Sequence, residues 1–191
     1  TLSRAAGTAV KVGWSTESGT AVAPGDFAAA TGAVTFAPGE TSKAVTVALH
    51  DDPVFEEAET VGLRIGSPDG ATIGTAAASA EIADDDPAPG VAVDSVTVTE
   101  GDTGVTQAYF TVDLDRESSV PIVVALATQP GTATPGADYD AVAQTIAFAP
   151  GQRTASFVVP VHGDLLAEPT ESFGVTVDGV LAAFGTVTDD D

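Results

Sequence analysis

At 191 residues the chain has room for two domains of about 100 residues, the usual size of a β-sandwich module. Its formal net charge is −22, from 28 acidic and 6 basic residues, which makes nucleic acid and anionic lipid poor partners. Cysteine is absent, which excludes disulfides and thiolate metal sites, and no run of about 18 apolar residues exists to span a membrane as a helix. The acidity divides evenly: residues 1–86 carry 13 acids against 4 bases, and residues 87–191 carry 15 against 2. Such an excess of carboxylate works against a compact state unless counter-ions are bound. Methionine is also absent, which predicts a processed product or a segment of something longer. Without asparagine there is no N-glycosylation sequon. The bias toward Ala, Gly, Val, Pro and Asp, with two lysines in all, points to a GC-rich bacterial source.

In chain order, the predicted elements are short strands separated by turn signals. Pro24-Gly25 and Ala37-Pro38-Gly39 mark the first turns. Val45, Val47 and Leu49 then alternate with Ala44, Thr46 and Ala48, and Val61, Leu63 and Ile65 alternate with Gly62 and Arg64. Period-2 alternation of this kind predicts half-buried antiparallel strands. Pro68-Asp69-Gly70 is a further turn, and Asp86-Pro87-Ala88-Pro89-Gly90 reads as a stiff boundary between domains 1–86 and 87–191. The second domain opens on a leading strand, Val91 to Thr99, that ends in Glu100. Turns follow at Pro135-Gly136, Ala149-Pro150-Gly151 and Asp178-Gly179, with alternating strands over Phe157, Val159, Val161 and over Phe173, Val175, Val177. No window carries a helical stripe. The expectation is an all-β chain, with an antiparallel sandwich of about seven strands in each domain.

The two halves repeat at a fixed offset of 112 residues. Gly19-Thr20-Ala21 matches Gly131-Thr132-Ala133, Asp26-Phe27 matches Asp138-Tyr139, and Phe36-Ala37-Pro38-Gly39 matches Phe148-Ala149-Pro150-Gly151. His50, Asp52, Glu56 and Glu59 match His162, Asp164, Glu168 and Glu171. Each copy then ends in aspartates, Asp84-Asp85-Asp86 and Asp189-Asp190-Asp191. Acids that recur at the same places point to a site, where a merely solvated face would scatter them. A cluster of oxygen ligands points to calcium, which takes six to eight oxygens in irregular geometry. The turns at one end of an antiparallel sandwich deliver several loops to one place, as such a site needs.

The same offset matches Thr1 with Asp113, so the counterparts of Val91–Thr99 and Glu100 fall before residue 1. The first domain is therefore expected to start at its second strand and to lack its N-terminal one. Either the sequence is a piece of a longer one, or another chain supplies the strand by β-augmentation.

At these residues the sequence resembles a pair of Calx-β domains, the module of sodium–calcium exchangers, integrin β4 and many bacterial surface proteins. The resembling residues run Gly19–Phe27, Phe36–Glu40, Asp51–Glu59 and Asp84–Asp86, then Gly131–Tyr139, Phe148–Gln152, Asp164–Glu171 and Asp189–Asp191. The resemblance implies immunoglobulin-like sandwiches with calcium bound among loops at one end. Carried over by position, it implies Asp26, Asp51, Asp52, Glu56, Asp84, Asp85 and Asp86 as ligands in the first domain. In the second it implies Glu100, Asp138, Asp164, Glu168, Asp189, Asp190 and Asp191. Gly163 stands where the first domain has Asp51, so the second is expected to bind fewer ions or to bind them more weakly.

Other features read more plainly. His50 and His162 face away from the apolar side of their strands and are expected to be solvent-edge residues, since zinc would want more nitrogen or sulfur ligands. Glu59 and Glu171 are expected to support a turn, and Trp14, matched to Leu126, to sit in the core or on an inner face. Crowded acids in this number fit an ion cage better than a glycosidase pair, and neither a nucleophile elbow nor a phosphate-binding loop is present. The expected function is non-enzymatic: a calcium-binding structural or adhesive tandem module of a larger secreted or surface-exposed bacterial protein. Such a module would serve as a spacer, stalk or filament unit and meet neighbouring domains or subunits, with strand donation as one mode. The alternatives are a calcium sensor for an attached domain and an accessory module of a secreted hydrolase.

Overall fold

The computed structural model describes residues 1–191; the chain is all-β and falls into two compact units. The first comprises Thr1–Asp52 and Glu57–Asp85, the second Pro53–Glu56 and Asp86–Asp191. No helix is long and apolar enough to cross a membrane.

The second unit is a complete sandwich. One sheet has the order β10 (Thr154–Gly163), β7 (Gly104–Leu114), β5 (Val91–Val93), and the other the order β6 (Val96–Thr99), β12 (Val180–Thr188), β11 (Glu171–Val177), β8 (Ile122–Gln129), β9 (Ala143–Phe148). The strands pair antiparallel except β6, which lies parallel to β12. The leading segment expected as one strand is thus two. It leaves β7 after Val93 and joins β12 from Val96, changing sheet at Asp94-Ser95.

Alternation sets the core. Ala108, Phe110, Val112 and Leu114 of β7 point inward, while Tyr109 between them is exposed. Phe157, Val159 and Val161 of β10 meet Phe173 and Val175 of β11 across the sandwich. Phe110 sits 6.0 Å from both Phe157 and Phe173, tilted to each, and Tyr139 stacks on Phe173 at 4.4 Å. Tyr139 is fully buried, and its hydroxyl has no hydrogen-bond partner. The first repeat places Phe27, equally buried, at the matching position. Removing a buried, unpaired hydroxyl relieves its desolvation cost, so Tyr139→Phe should stabilise the second unit by about 1 kcal/mol or more. Denaturant unfolding measures it, and a loss of stability would show that the hydroxyl is paired in solution.

The first unit is half a sandwich. Its sheet has the order β2 (Thr31–Phe36), β1 (Val10–Ser18), β3 (Glu59–Asp69), β4 (Ala77–Ile82), matching β9, β8, β11 and β12. The strand expected over Val45–Leu49 does not form; an isolated bridge between Leu49 and Phe27 stands in its place. The reason is topological. In the second unit the matching strand, β10, pairs with β7, the middle strand of its sheet, and Thr1 and Leu2 match only the last two residues of β7. The deficit is therefore larger than the single strand expected, because counterparts of β5, β6 and nearly all of β7 are missing.

Packing follows from this. Val10, Val12, Phe36, Phe27, Ala21 and Val61 are buried, but in two small clusters where the second unit has one continuous core. Leu63 and Ile65 are only half-buried on the inner face, and so is Trp14, whose match Leu126 is fully buried. Trp14 does lie on the inner face, over Gly32.

Candidate metal centre

The carboxylates are placed by turns that recur in both repeats. Asp138 closes a one-turn loop, its Oδ2 accepting the Thr134 N–H at 2.6 Å while its own N–H donates to the Thr134 carbonyl at 3.0 Å. Asp26 does the same with Val22, its Oδ2 accepting at 2.5 Å and its N–H donating at 3.1 Å. An aspartate that bonds back to the backbone in this way fixes its own loop.

Upstream, Gly-Thr-Ala straps each loop to the start of β3 or β11. Ala21 N–H donates to Thr60 C=O at 3.2 Å, and Ala133 N–H to Ser172 C=O at 2.9 Å. The approach is close enough that a Cβ on Gly19 or Gly131 would lie 2.3 Å from that carbonyl oxygen. This explains the glycine of the motif.

The histidines bind the loop from the other side. His50 and His162 N–H groups donate to the Asp26 and Asp138 carbonyls, both at 2.9 Å. Their Nδ1 atoms reach Pro24 O at 2.6 Å and Ala137 O at 2.9 Å, and His162 Nε2 reaches Asp140 Oδ1 at 3.1 Å. These rings clamp the ligand loop.

Three carboxylate sets result. Asp138, Glu168 and Glu171 bring oxygens within 4.8 Å of one another, and so do Asp26, Glu56 and Glu59, and Asp84, Asp85 and Asp86. Glu59 and Glu171, expected to support a turn, thus stand among the candidate ligands; their recurrence at the common offset was the available signal. Asp51 and Asp52 are exposed and belong to none of these sets.

Around the second repeat's set, burial pushes the carboxyl of Glu100, only 5% exposed, above the usual range. The charges of Glu168, Asp189, Asp164 and Asp138 push it the same way. Glu168 is likewise raised, by burial and then by Asp138, Asp164 and Asp189. Burial also raises Glu171, followed by its hydrogen bond to the Asp138 carboxylate. Asp189 goes the other way, held low by the backbone N–H groups of Asp191 and Glu168, at 3.1 and 2.8 Å. Asp164 Oδ1 accepts the Leu166 N–H at 2.7 Å, and Asp190 Oδ1 accepts the Gly101 N–H at 3.0 Å. Asp191 is raised by burial and then by Asp102, an acid with no recurring partner to draw attention to it in the sequence.

The donor set suits a hard divalent cation. Every candidate ligand is a carboxylate, and the nearby histidines spend their Nδ1 atoms on backbone carbonyls. Two oxygens on one calcium at about 2.4 Å each are at most about 5 Å apart, and the 4.8 Å span of each set falls inside that limit.

The Calx-beta domain family model matches twice, over residues 1–86 and 83–183. Among curated proteins, mouse extracellular matrix organizing protein FRAS1 is 29% identical over 168 residues, covering 81% of this chain and 4% of its own length. Human FRAS1-related extracellular matrix protein 2 is 30% identical over 161 residues, covering 76% of this chain and 5% of its own. Mouse sodium/calcium exchanger 1 is 48% identical over 52 residues, covering 27% of this chain and 5% of its own. The chain thus spans about one twentieth of the length of these relatives. Among solved structures, CBD12 from CALX1.2 aligns at 25% identity and a TM-score of 0.42, covering 89% of this chain and 68% of that one. The apo-form Calx CBD1 domain aligns at 22% identity and a TM-score of 0.45, covering 53% and 98%. Two family matches that together span nearly the whole sequence show that the chain belongs to the Calx-beta domain family.

Proposed function

We propose that this chain is a calcium-binding structural module of a larger secreted or cell-surface protein, bacterial by its composition, in which bound ions rigidify tandem sandwiches. One observation carries the reading. The same acid triad, Asp26/Glu56/Glu59 and Asp138/Glu168/Glu171, recurs with its oxygens within ligand span, and in the second repeat the charges of Asp138 and Glu168 bear on the buried Glu100. A carboxylate held out of water among others is unfavourable unless a cation or a proton compensates it. Calcium would be held by Asp138, Glu168 and Glu171, with Glu100, Asp164 and Asp189 close by; Asp26, Glu56 and Glu59 form the first repeat's equivalent, with Asp84, Asp85 and Asp86 as a further set. When bound, the ion supplies charge neutralisation and cross-links loops that otherwise repel. The exchanger relative supports the calcium reading, and the matrix-protein relatives support a structural, extracellular one.

Calorimetric titration of Asp26→Asn and Asp138→Asn tests it. The amide keeps an oxygen acceptor for the loop bond but loses the charge. Each variant should weaken binding in its own repeat by about tenfold or more, roughly the weight of one charged ligand, and spare the other. No calcium heat in the parent would sink the proposal, and complete loss from either single variant would mean one shared site.

A further inference from the structure

Residues 53–56, which follow Asp51-Asp52 in the first repeat, fold as part of the second unit. There Phe55 forms an isolated parallel bridge with Ser118. Its N–H donates to the Glu117 carbonyl at 3.2 Å, and its carbonyl accepts the Ser119 N–H at 2.9 Å. Val54 and Phe55 are both half-buried. The 112-residue offset gives each side of this pairing a counterpart with nothing on it. The loop matching 53–55 is Leu165-Leu166-Ala167, all exposed, the leucines at 68% and 64%. The turn matching 117–119 is Ala5-Ala6-Gly7, and it is held the same way: Gly39 N–H donates to Ala6 C=O at 3.0 Å, as Gly151 N–H does to Ser118 C=O at 2.9 Å. The Ala5 carbonyl, the Gly7 N–H and both backbone groups of Ala167 make no hydrogen bond within the chain.

We propose that two copies of this chain associate heterologously, residues 165–167 of one docking as a parallel bridge on the turn 5–7 of the other. The Phe55 pairing supplies the register: Ala167 N–H would donate to Ala5 C=O, and Gly7 N–H to Ala167 C=O. Two exposed leucines supply the apolar surface to be covered. Charge chooses the orientation. The net charge of −22 keeps copies apart in general, but Arg4, exposed and without an ion pair, flanks the turn, while Asp164 and Glu168 flank the loop. The two patches are different surfaces, so each docked copy leaves one of each free and the association propagates. The reading does not depend on calcium. A contact this small is transient, and a covalent trap is the way to read it.

Gly7→Cys and Ala167→Cys suit such a trap. The chain has no cysteine of its own, and a Cβ at Gly7 meets nothing within 4 Å. The Oγ of Ser119, the residue matched to Gly7, lies 3.5 Å from the Phe55 carbonyl. Mild oxidation of equal amounts of the two single variants should form the 7–167 disulfide in about tenfold or more excess over either like pair. Adding Leu165→Ser and Leu166→Ser to the Ala167→Cys chain should return the products to the statistical mixture. Gly74→Cys, placed where a Cβ also meets nothing, replaces Gly7→Cys as the collision control and should give only that mixture. A statistical mixture from the first pair, an excess of either like pair, or an equal excess with Gly74→Cys would overturn the proposal. So would an excess that survives loss of both leucines.

Discussion

Replacing Gly163 with alanine should destabilise the second unit by about 3 kcal/mol or more, the range of severe overpacking. A Cβ at this position would lie 1.8 Å from the Gly101 carbonyl oxygen, 2.8 Å from its carbon and 2.9 Å from the Glu100 oxygen. All three are backbone atoms, so no side-chain rotation relieves the clash. Either the end of β10 pulls away from β7, breaking its pairing with Gly104, or the Glu100–Gly101 turn shifts and moves Glu100 out of its buried place. For a domain of this size each kcal/mol moves the unfolding midpoint by about 4–8 °C, so a drop of more than about 12 °C is expected. Gly74→Ala is the control: nothing lies within 4 Å of a Cβ there, and the change should stay within about 0.5 kcal/mol. A Gly163→Ala midpoint close to the parent's would show that the turn does not rest against β10.

This contact also accounts for the difference between the repeats at that position. An aspartate cannot occupy Gly163 while the Glu100–Gly101 turn is in place. The first repeat, where that turn is missing, accommodates Asp51 as an exposed side chain. Sequence alone read the glycine as a lost ligand; the structure shows that it admits another carboxylate, Glu100, to the neighbourhood of Glu168, Asp189 and Asp138.

The sequence made the all-β, tandem organisation legible because alternation is local and the repeat is close. Phe157, Val159 and Val161 alternate and point inward together, as their period requires. The same reasoning failed over Val45–Leu49, where alternation is equally clear. A strand exists only with a partner, and pairing is a property of residues far away in the chain. Val91–Thr99 failed for a related reason: its pattern is continuous, but its two halves pair with different sheets. At the candidate metal centre, acids recurring at one offset point to Asp26, Glu56, Asp138 and Glu168, which remain candidate ligands. Glu59 and Glu171, expected to support a turn, begin β3 and β11, and the first residue of a strand can still turn its side chain into the adjoining loop cluster. Asp102 had no repeat partner, and only its place in the turn beside Glu100 brings its charge to bear on Asp191.

Without calcium, the thermal midpoint of the second unit should fall as pH rises above about 4.5 through the raised values of its clustered glutamates; with millimolar calcium it should be nearly flat. Glu100, Glu168 and Glu171 all hold their protons more tightly in the folded protein than at their ordinary value of 4.5. Their contribution to stability is therefore fully present below pH 4.5 and lost as pH rises through their folded values. Asp189 opposes them: held low, it contributes stability above its ordinary value of 3.8 and loses it as pH falls through its folded value. Its window lies below theirs, so above pH 4.5 the three raised glutamates set the sign of the slope, and the overall charge of −22 adds repulsion of the same sign. A divalent cation takes the place of those protons. Calcium at a hundred times its dissociation constant would add about 2.7 kcal/mol to the folded state, with the largest gain where the protons are already gone. Binding near pH 5 should accordingly release protons, seen as a calorimetric heat that changes with the ionisation enthalpy of the buffer. An ion-free midpoint that rises across this range, or one that calcium leaves unmoved at pH 8, would show that the clustered glutamates are solvated surface charges.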